Sequence, residues 1–167
     1  MSSPTVAEQL VLGGRDLISR EGVGDLSVRR LVEAAGRSTM CVYSHFGNRK
    51  RLLAEVYRSC ADDLLAALAA ARTAKDLESG YAAYAANEPR HFQYLFAADL
   101  EGFGIDQALR LDLIESVVAL AAARLDSSGT EALAWWLRVH GVVWLDTVQR
   151  LAADPDRFDT AAVLKAP

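Results

Sequence analysis

Apolar residues recur at intervals of three and four along almost the whole chain, and the sustained alternation of a half-buried strand is absent. Val6, Leu10, Leu17 and Ile18 predict a first helix that closes at Gly22, a residue suited to a left-handed cap. Gly13 and Gly14 inside it each cost about 1 kcal/mol relative to Ala, so this helix is weak unless packing needs a close approach there. Ser27 is placed as the N-cap of a short helix carrying Val28, Leu31, Val32 and Ala35, which Gly36 ends. Ser38 opens a second short helix with Val42 and Phe46 on one face. After the break at Gly47, Asn48 caps a long helix bearing Leu52, Leu53, Val56, Tyr57, Leu64, Leu65 and Leu68. Further helices are expected near 75–87, stopped by Pro89, then near 90–98, 106–125 and 130–153, with loops around Gly102–Gly104 and Asp126–Thr130. The tail 154–167 has little to bury and is expected to be loosely ordered.

The expected fold is therefore all-α. A three-helix head with a helix-turn-helix outline occupies 1–47, with the start of a linking helix over 48–58, and a helical bundle occupies 48–153. Charge sharpens this division. Residues 1–60 carry nine basic and six acidic side chains, whereas 61–167 carry nine basic and sixteen acidic. A basic head on an acidic body suits a polyanionic partner for the head, although a solvated helical surface explains the charge alone equally well.

Composition narrows the class. Hydrophobic residues make up 51% and charged residues 24% of the chain, enough apolar material for a globular core. No apolar run approaches the roughly 18 residues of a membrane span, and Met1-Ser-Ser-Pro-Thr5 lacks a secretory layout. Cys41 and Cys60 are too few for a disulfide framework, and His45, His91 and His140 lack metal-ligand spacing. The expectation is a cytoplasmic protein without metal, cofactor or membrane partner.

The chemistry concentrates around residues 27–51. Arg49-Lys50-Arg51 opens the long helix, where cations oppose the macrodipole unless an anion docks on the free N–H groups. If Val42 and Phe46 face inward, then Thr39, Cys41, Tyr43, Ser44 and His45 lie outward between Arg37 and Arg49. Such a surface suits entry into the major groove of DNA. Tyr43 as a half-buried core residue and Cys41 as an apolar filler are the competing readings.

These residues match a family pattern. Leu26-Ser-Val-Arg-Arg-Leu-Val-Glu-Ala-Ala-Gly36, Arg37-Ser-Thr-Met-Cys-Val-Tyr-Ser-His-Phe46 and Gly47-Asn-Arg-Lys-Arg-Leu-Leu53 resemble the DNA-binding domain of tetracycline-repressor (TetR) regulators over roughly residues 5–58. The shared features are an Ala-Gly turn with Ser two residues on, a Tyr-x-x-Phe pair, a basic residue three after the Phe, and a Leu-Leu pair. The resemblance implies a homodimer on a palindromic operator. It places Ser38, Thr39, Cys41, Tyr43, Ser44 and His45 on the recognition helix, and Ser27, Arg29, Tyr43 and Arg49 at the DNA backbone. Arg37 and Lys50 complete the expected DNA-binding set. Thr39 stands where the family often has Lys, and His45 where it often has a second aromatic, which bears on sequence preference.

Two body segments carry a further resemblance. Tyr81-Ala-Ala-Tyr-Ala-Ala-Asn-Glu-Pro-Arg-His-Phe-Gln-Tyr-Leu-Phe96 and Ala134-Trp-Trp-Leu-Arg-Val-His-Gly-Val-Val-Trp-Leu145 resemble a C-terminal subgroup with a Trp-His-Gly helix. The last helix is apolar over so wide an arc that it must be buried on two sides. Leu113, Val117, Leu120, Leu133, Leu137, Gly141 and Val148 are the expected dimer surface, a four-helix contact across a two-fold axis, with a monomeric core as the other reading. Tyr84, Phe92, Leu95, Phe96, Trp136, His140 and Trp144 are the expected lining of a pocket for a small apolar or aromatic effector, and a plain core explains each of them singly. The expected function is a DNA-binding regulator, a repressor relieved by ligand. A helical adaptor that binds protein through a vestigial helix-turn-helix is the alternative. An enzyme has only scattered carboxylates such as Asp62-Asp63 in its favour.

Overall fold

The structure is a computed structural model and describes residues 3–165. Helices α1 (Val6–Glu21), α2 (Val28–Ala34), α3 (Thr39–Phe46) and α4 (Arg49–Ala69) are followed by α5 (Ala74–Asn87) and α6 (Pro89–Ala97). The chain continues through α7 (Ala108–Leu125), α8 (Gly129–Leu151) and α9 (Thr160–Lys165), and no strand occurs among the described residues. Local chemistry sets most boundaries. Thr5, Thr73 and Ser128 cap α1, α5 and α8 in reciprocal capping boxes with Glu8, Asp76 and Glu131. The Asn48 side chain accepts from the Arg51 N–H (3.0 Å) and starts α4. Pro89 takes the first position of α6, where its missing N–H costs nothing, so it starts one helix as well as ending another.

Helices α1, α2 and α3 enclose Leu10, Leu17, Ile18, Leu31 and Val42, and α4 closes this head with Leu52, Leu53 and Val56. Over its 21 residues, roughly 30 Å, α4 runs on into the body and presents Tyr57, Cys60, Leu64 and Leu68 to the second half of the chain. Its backbone is gripped by tyrosine hydroxyls. Tyr94 donates to the Leu53 carbonyl (3.0 Å) and Tyr84 to that of Cys60 (3.0 Å), while Tyr57 on α4 donates to Leu95 (3.1 Å). Burial pushes the Tyr57 phenol up to about 12 and that of Tyr84 higher still, so all three bonds persist across ordinary pH.

The head meets the body again along α1 and α6. His91 Nε2 lies 2.8 Å from the Arg15 carbonyl, Ser19 donates to Glu88 (3.3 Å), and the Arg90 guanidinium reaches the Arg20 carbonyl. The segment beyond 153 differs from expectation. Gln149, buried on α8, accepts from the Phe158 N–H (2.6 Å) and donates towards Pro155, and the Thr160 hydroxyl donates to Asp146 (3.2 Å). These bonds seat α9 against α8. Within the described residues 154–165, two polar side chains of α8 hold this segment; the rest of the expected tail lies outside the described residues.

Candidate nucleic-acid interface

Helix α3 is fixed in the head by one apolar side and presents the other to solvent. Val42 is fully buried and Phe46 partly so, while Thr39, Met40, Tyr43, Ser44 and His45 are exposed. Between α2 and α3 the chain turns at Gly36, whose φ of +62° lies in the left-handed region that favours glycine. Gly47 (φ +75°) makes the second reversal, from α3 into α4. Ser27 and Ser38 hold the N-cap positions of α2 and α3, but neither side chain makes a capping bond. The Ser27 N–H instead donates to Asp25 (3.0 Å), a bond that holds the Asp25 carboxyl below its ordinary range.

The basic residues sort into held and free. Arg30 pairs with Glu21 and Glu33, and Arg58 with Glu55 (2.6 Å). Arg37 bonds the Gln9 side chain. Arg49 donates from Nε to the Leu26 carbonyl (2.8 Å) and lies 5.9 Å from the ring centre of Phe103. Arg49, expected at the DNA backbone, has its guanidinium engaged by the protein on two sides. Arg29, Lys50 and Arg51 are exposed and make no ion pair among the described residues. They stand at the start of α2 and in the first turn of α4, on either side of the turns that frame α3.

Most of the expected DNA-binding set comes together here, with three refinements. Cys41 is only half-buried and its sulfur lies 3.5 Å from the Ser38 hydroxyl, which holds the thiol below its ordinary value. The Ser44 hydroxyl donates to the Cys41 carbonyl (3.2 Å), so both serines are engaged locally. Met40 and Arg51 join the site from outside the expected set. Met40 is three residues before Tyr43 on the same helix, a spacing visible in the sequence, but an apolar residue in a short helix reads as core.

In the body, Phe92, Phe96, Trp136, His140 and Trp144 do converge, together with Tyr81. Centroid separations are 4.7 Å for Trp136–His140, 4.8 Å for both Phe96–His140 and Phe92–Phe96, and 6.4 Å for Phe92–Trp144. The rings pack against one another, Trp136–His140 and Phe92–Trp144 stacked and the others tilted or edge-on. The Tyr81 hydroxyl and His140 Nδ1 are 2.8 Å apart, burial pushes the imidazole down to about 4, and the Trp136 indole N–H is buried without a partner. Tyr84 and Leu95 do not take the places expected of them: the Tyr84 hydroxyl is turned to α4, and Leu95 is fully enclosed in the core. An open groove of about 1020 Å³ lies on the head between α1, the end of α3 and α4, lined by residues including Leu12, His45, Phe46 and Arg58.

The expected dimer surface divides in two. Leu113 and Val117 are buried within the protomer and are withdrawn from it. Leu133, Leu137, Gly141 and Val148 form an exposed stripe on α8, opposite the inward stripe of Ala132, Trp136, Val139, Val143 and Thr147, and Leu120 is half-buried on α7.

Residues 10–56 match the profile of bacterial regulatory proteins of the tetR family. No curated protein sequence matches the chain. Among solved structures, a tetR family transcription regulator from Shewanella sp. PV-4 superposes with a TM-score of 0.68 at 16% identity, covering 97% of this chain and 95% of that one. The regulatory protein SCO4313 superposes with a TM-score of 0.77 at 20% identity (98% and 96% covered). NalD of Pseudomonas aeruginosa, the secondary repressor of the MexAB-OprM multidrug efflux pump, gives 0.62 at 17% identity (96% and 92%). Residues 10–56 therefore carry the tetR-type segment that holds the helix-turn-helix, and the described chain shares the all-helical fold of these solved structures.

Proposed function

We propose that this chain is a homodimeric, cytoplasmic transcriptional repressor that binds a palindromic operator and leaves it when a small apolar or aromatic ligand enters the body. The observation that carries the DNA-binding part is the framing of exposed α3 by Arg29, Lys50 and Arg51, which the protein leaves unpaired among the described residues. Cations at the start of a helix are unfavourable for the protein alone and favourable once phosphates dock. On this reading 1–47 is the DNA-binding unit, with α4 as its link, and 48–153 is the regulatory and dimerisation unit. Ser27, Arg29, Lys50 and Arg51 meet phosphates, Thr39, Met40, Tyr43 and His45 face the base edges, and Arg49 and Arg37 orient the helices.

Support for a ligand comes from the aromatic nest. The unpartnered Trp136 N–H and the half-buried Tyr81–His140 pair offer hydrogen bonds inside an otherwise apolar setting. NalD, whose fold the chain shares, is itself a repressor. The subgroup resemblance of the Tyr81–Phe96 and Ala134–Leu145 segments belongs to the same proposal.

Selection from random duplex DNA, followed by a salt titration on the recovered site, tests the reading. The expected result is a palindrome bound by two protomers with a steep negative salt slope. Lys50→Glu should reduce that slope by about one unit or more while lowering affinity on every sequence alike. Failure to enrich any site, with weak binding at low salt, would reject the regulator and favour the protein-binding adaptor.

A further inference from the structure

Resting on the DNA-binding reading above, we infer that α3 reads its operator chiefly through thymine methyl groups, with Met40 as the residue that contacts them. The case begins with what the helix lacks. Thr39–Phe46 contains no Arg, Lys, Asn or Gln, the side chains that make paired hydrogen bonds to guanine or adenine edges in the major groove. Its remaining polar groups are partly engaged. The Ser44 hydroxyl donates to the Cys41 carbonyl (3.2 Å), and the Ser38 hydroxyl lies against the Cys41 sulfur (3.5 Å).

The flanking cations do not fill this gap. Arg37 is bonded to Gln9 and Arg49 to the Leu26 carbonyl and the Phe103 ring, while Lys50 and Arg51 sit beyond the Gly47 turn in the first turn of α4. Their place suits phosphates, which position the protein without reading sequence. What remains at the head of α3 is Thr39 and Met40, the latter 70% exposed, with Tyr43, 55% exposed, one turn further on. Recognition helices of this motif place their N-terminal residues against base edges. Met40 is the second residue of α3, apolar, unbranched and adaptable, and the one apolar feature that a major groove offers is the C5 methyl of thymine. Surrounding positive charge makes a DNA groove, rather than an apolar protein surface, the fitting occupant.

The experiment uses the full chain and the operator it selects from random duplexes. Each thymine of one half-site is replaced by uracil, which removes the methyl and leaves pairing unchanged. At one or two positions uracil should weaken binding about fourfold, the effect of one buried CH₂-sized group. Met40→Ala should bind thymine and uracil sites equally at those positions, and Met40→Leu should restore the preference. Met40 is exposed and unpacked, so neither substitution disturbs the fold, which circular dichroism verifies. Equal binding of thymine and uracil sites by the wild type, or a preference that survives in Met40→Ala, overturns the assignment. If the wild type selects no site at all, the DNA-binding reading itself falls, and the inference with it.

Discussion

At Gly13 and Gly14 close contact outweighs helix propensity. A β-carbon at Gly13 would lie 2.6 Å from Cα of Ala35, in the turn leading to α3, and one at Gly14 would lie 2.7 Å from Cγ2 of buried Val56. Gly13→Ala should therefore destabilise the protein by about 1–3 kcal/mol through overpacking, despite the roughly 1 kcal/mol that Ala favours in a helix interior. Urea denaturation gives the answer, and a stabilised variant would show that α1 and the α2–α3 turn are not in such contact. His140 offers a second test. Its pKa, pushed down to about 4 by burial, compares with about 6.5 in an unfolded chain. Between those values the unfolded state binds a proton that the folded state refuses, so stability is present above pH 6.5 and is lost as pH falls towards 4. Relative to the wild type, His140→Gln, which keeps an acceptor for Tyr81, should flatten the decline of the unfolding free energy from urea titrations between pH 6.5 and 5 by about 1–2 kcal/mol. Carboxylates such as Asp25, Asp76 and Glu131, held below their ordinary values by hydrogen bonds, act lower in pH. An unchanged slope would mean that the imidazole is hydrated in the folded protein. At this scale the sequence shows which residues are unusual, the paired glycines and the lone His among aromatics, but not their partners. Arg49 illustrates the limit: its carbonyl partner Leu26 is 23 residues away, and its ring partner Phe103 more than 50.

Helix boundaries were legible because their causes are local. Asn48, Pro89 and Ser128 act within a few residues of themselves, and a reader of the chain can see them. What escaped is interaction between distant elements. Helix α9 owes its place to Gln149 and Asp146 on α8, polar residues whose burial no periodicity reveals. The loop between α6 and α7 is a similar case. It was expected only as a loop, yet Phe103 stacks near Tyr94 (6.3 Å) and faces Arg49, and Gly104 lies against Lys50. A body loop thus braces the basic first turn of α4, which the proposed function assigns to DNA phosphates. Phe103→Ala should lower affinity for the selected operator about three- to tenfold, in line with a cation–π contact of about 0.5–1 kcal/mol plus lost packing. Phe103→Trp should restore it. Fluorescence anisotropy at matched salt decides between this and a loop without influence, for which both variants would bind as the wild type does.

For the molecule as a whole, the decisive feature is the pair of apolar sides on α8. The structure accounts for one of them: Ala132, Trp136, Val139 and Val143 pack into the protomer's own core, which also claims Leu113 and Val117 of α7. The other side, Leu133, Leu137, Gly141 and Val148 at spacings suited to a helix seam, faces outward, with Leu137 56% exposed. An apolar stripe on a free monomer is unfavourable, and in the proposed homodimer a two-fold partner would cover it with the same stripe of a second copy. Gly141 makes this testable without ambiguity. A β-carbon there meets nothing within 4 Å inside the protomer, and replacing Gly in a helix interior favours the helix by up to about 1 kcal/mol. Gly141→Arg should therefore leave the protomer's helicity intact while placing a charge in the seam. Sedimentation velocity should show a dimer for the wild type and a monomer for the variant. In the proposed mode each protomer supplies one recognition helix to half-sites about 34–36 Å apart, so the variant should also lose affinity for the palindrome by a hundredfold or more while binding a single half-site as the wild-type head does. A Gly141→Arg protein that stays dimeric would move the two-fold contact off α8, and with it the spacing of the two copies of α3.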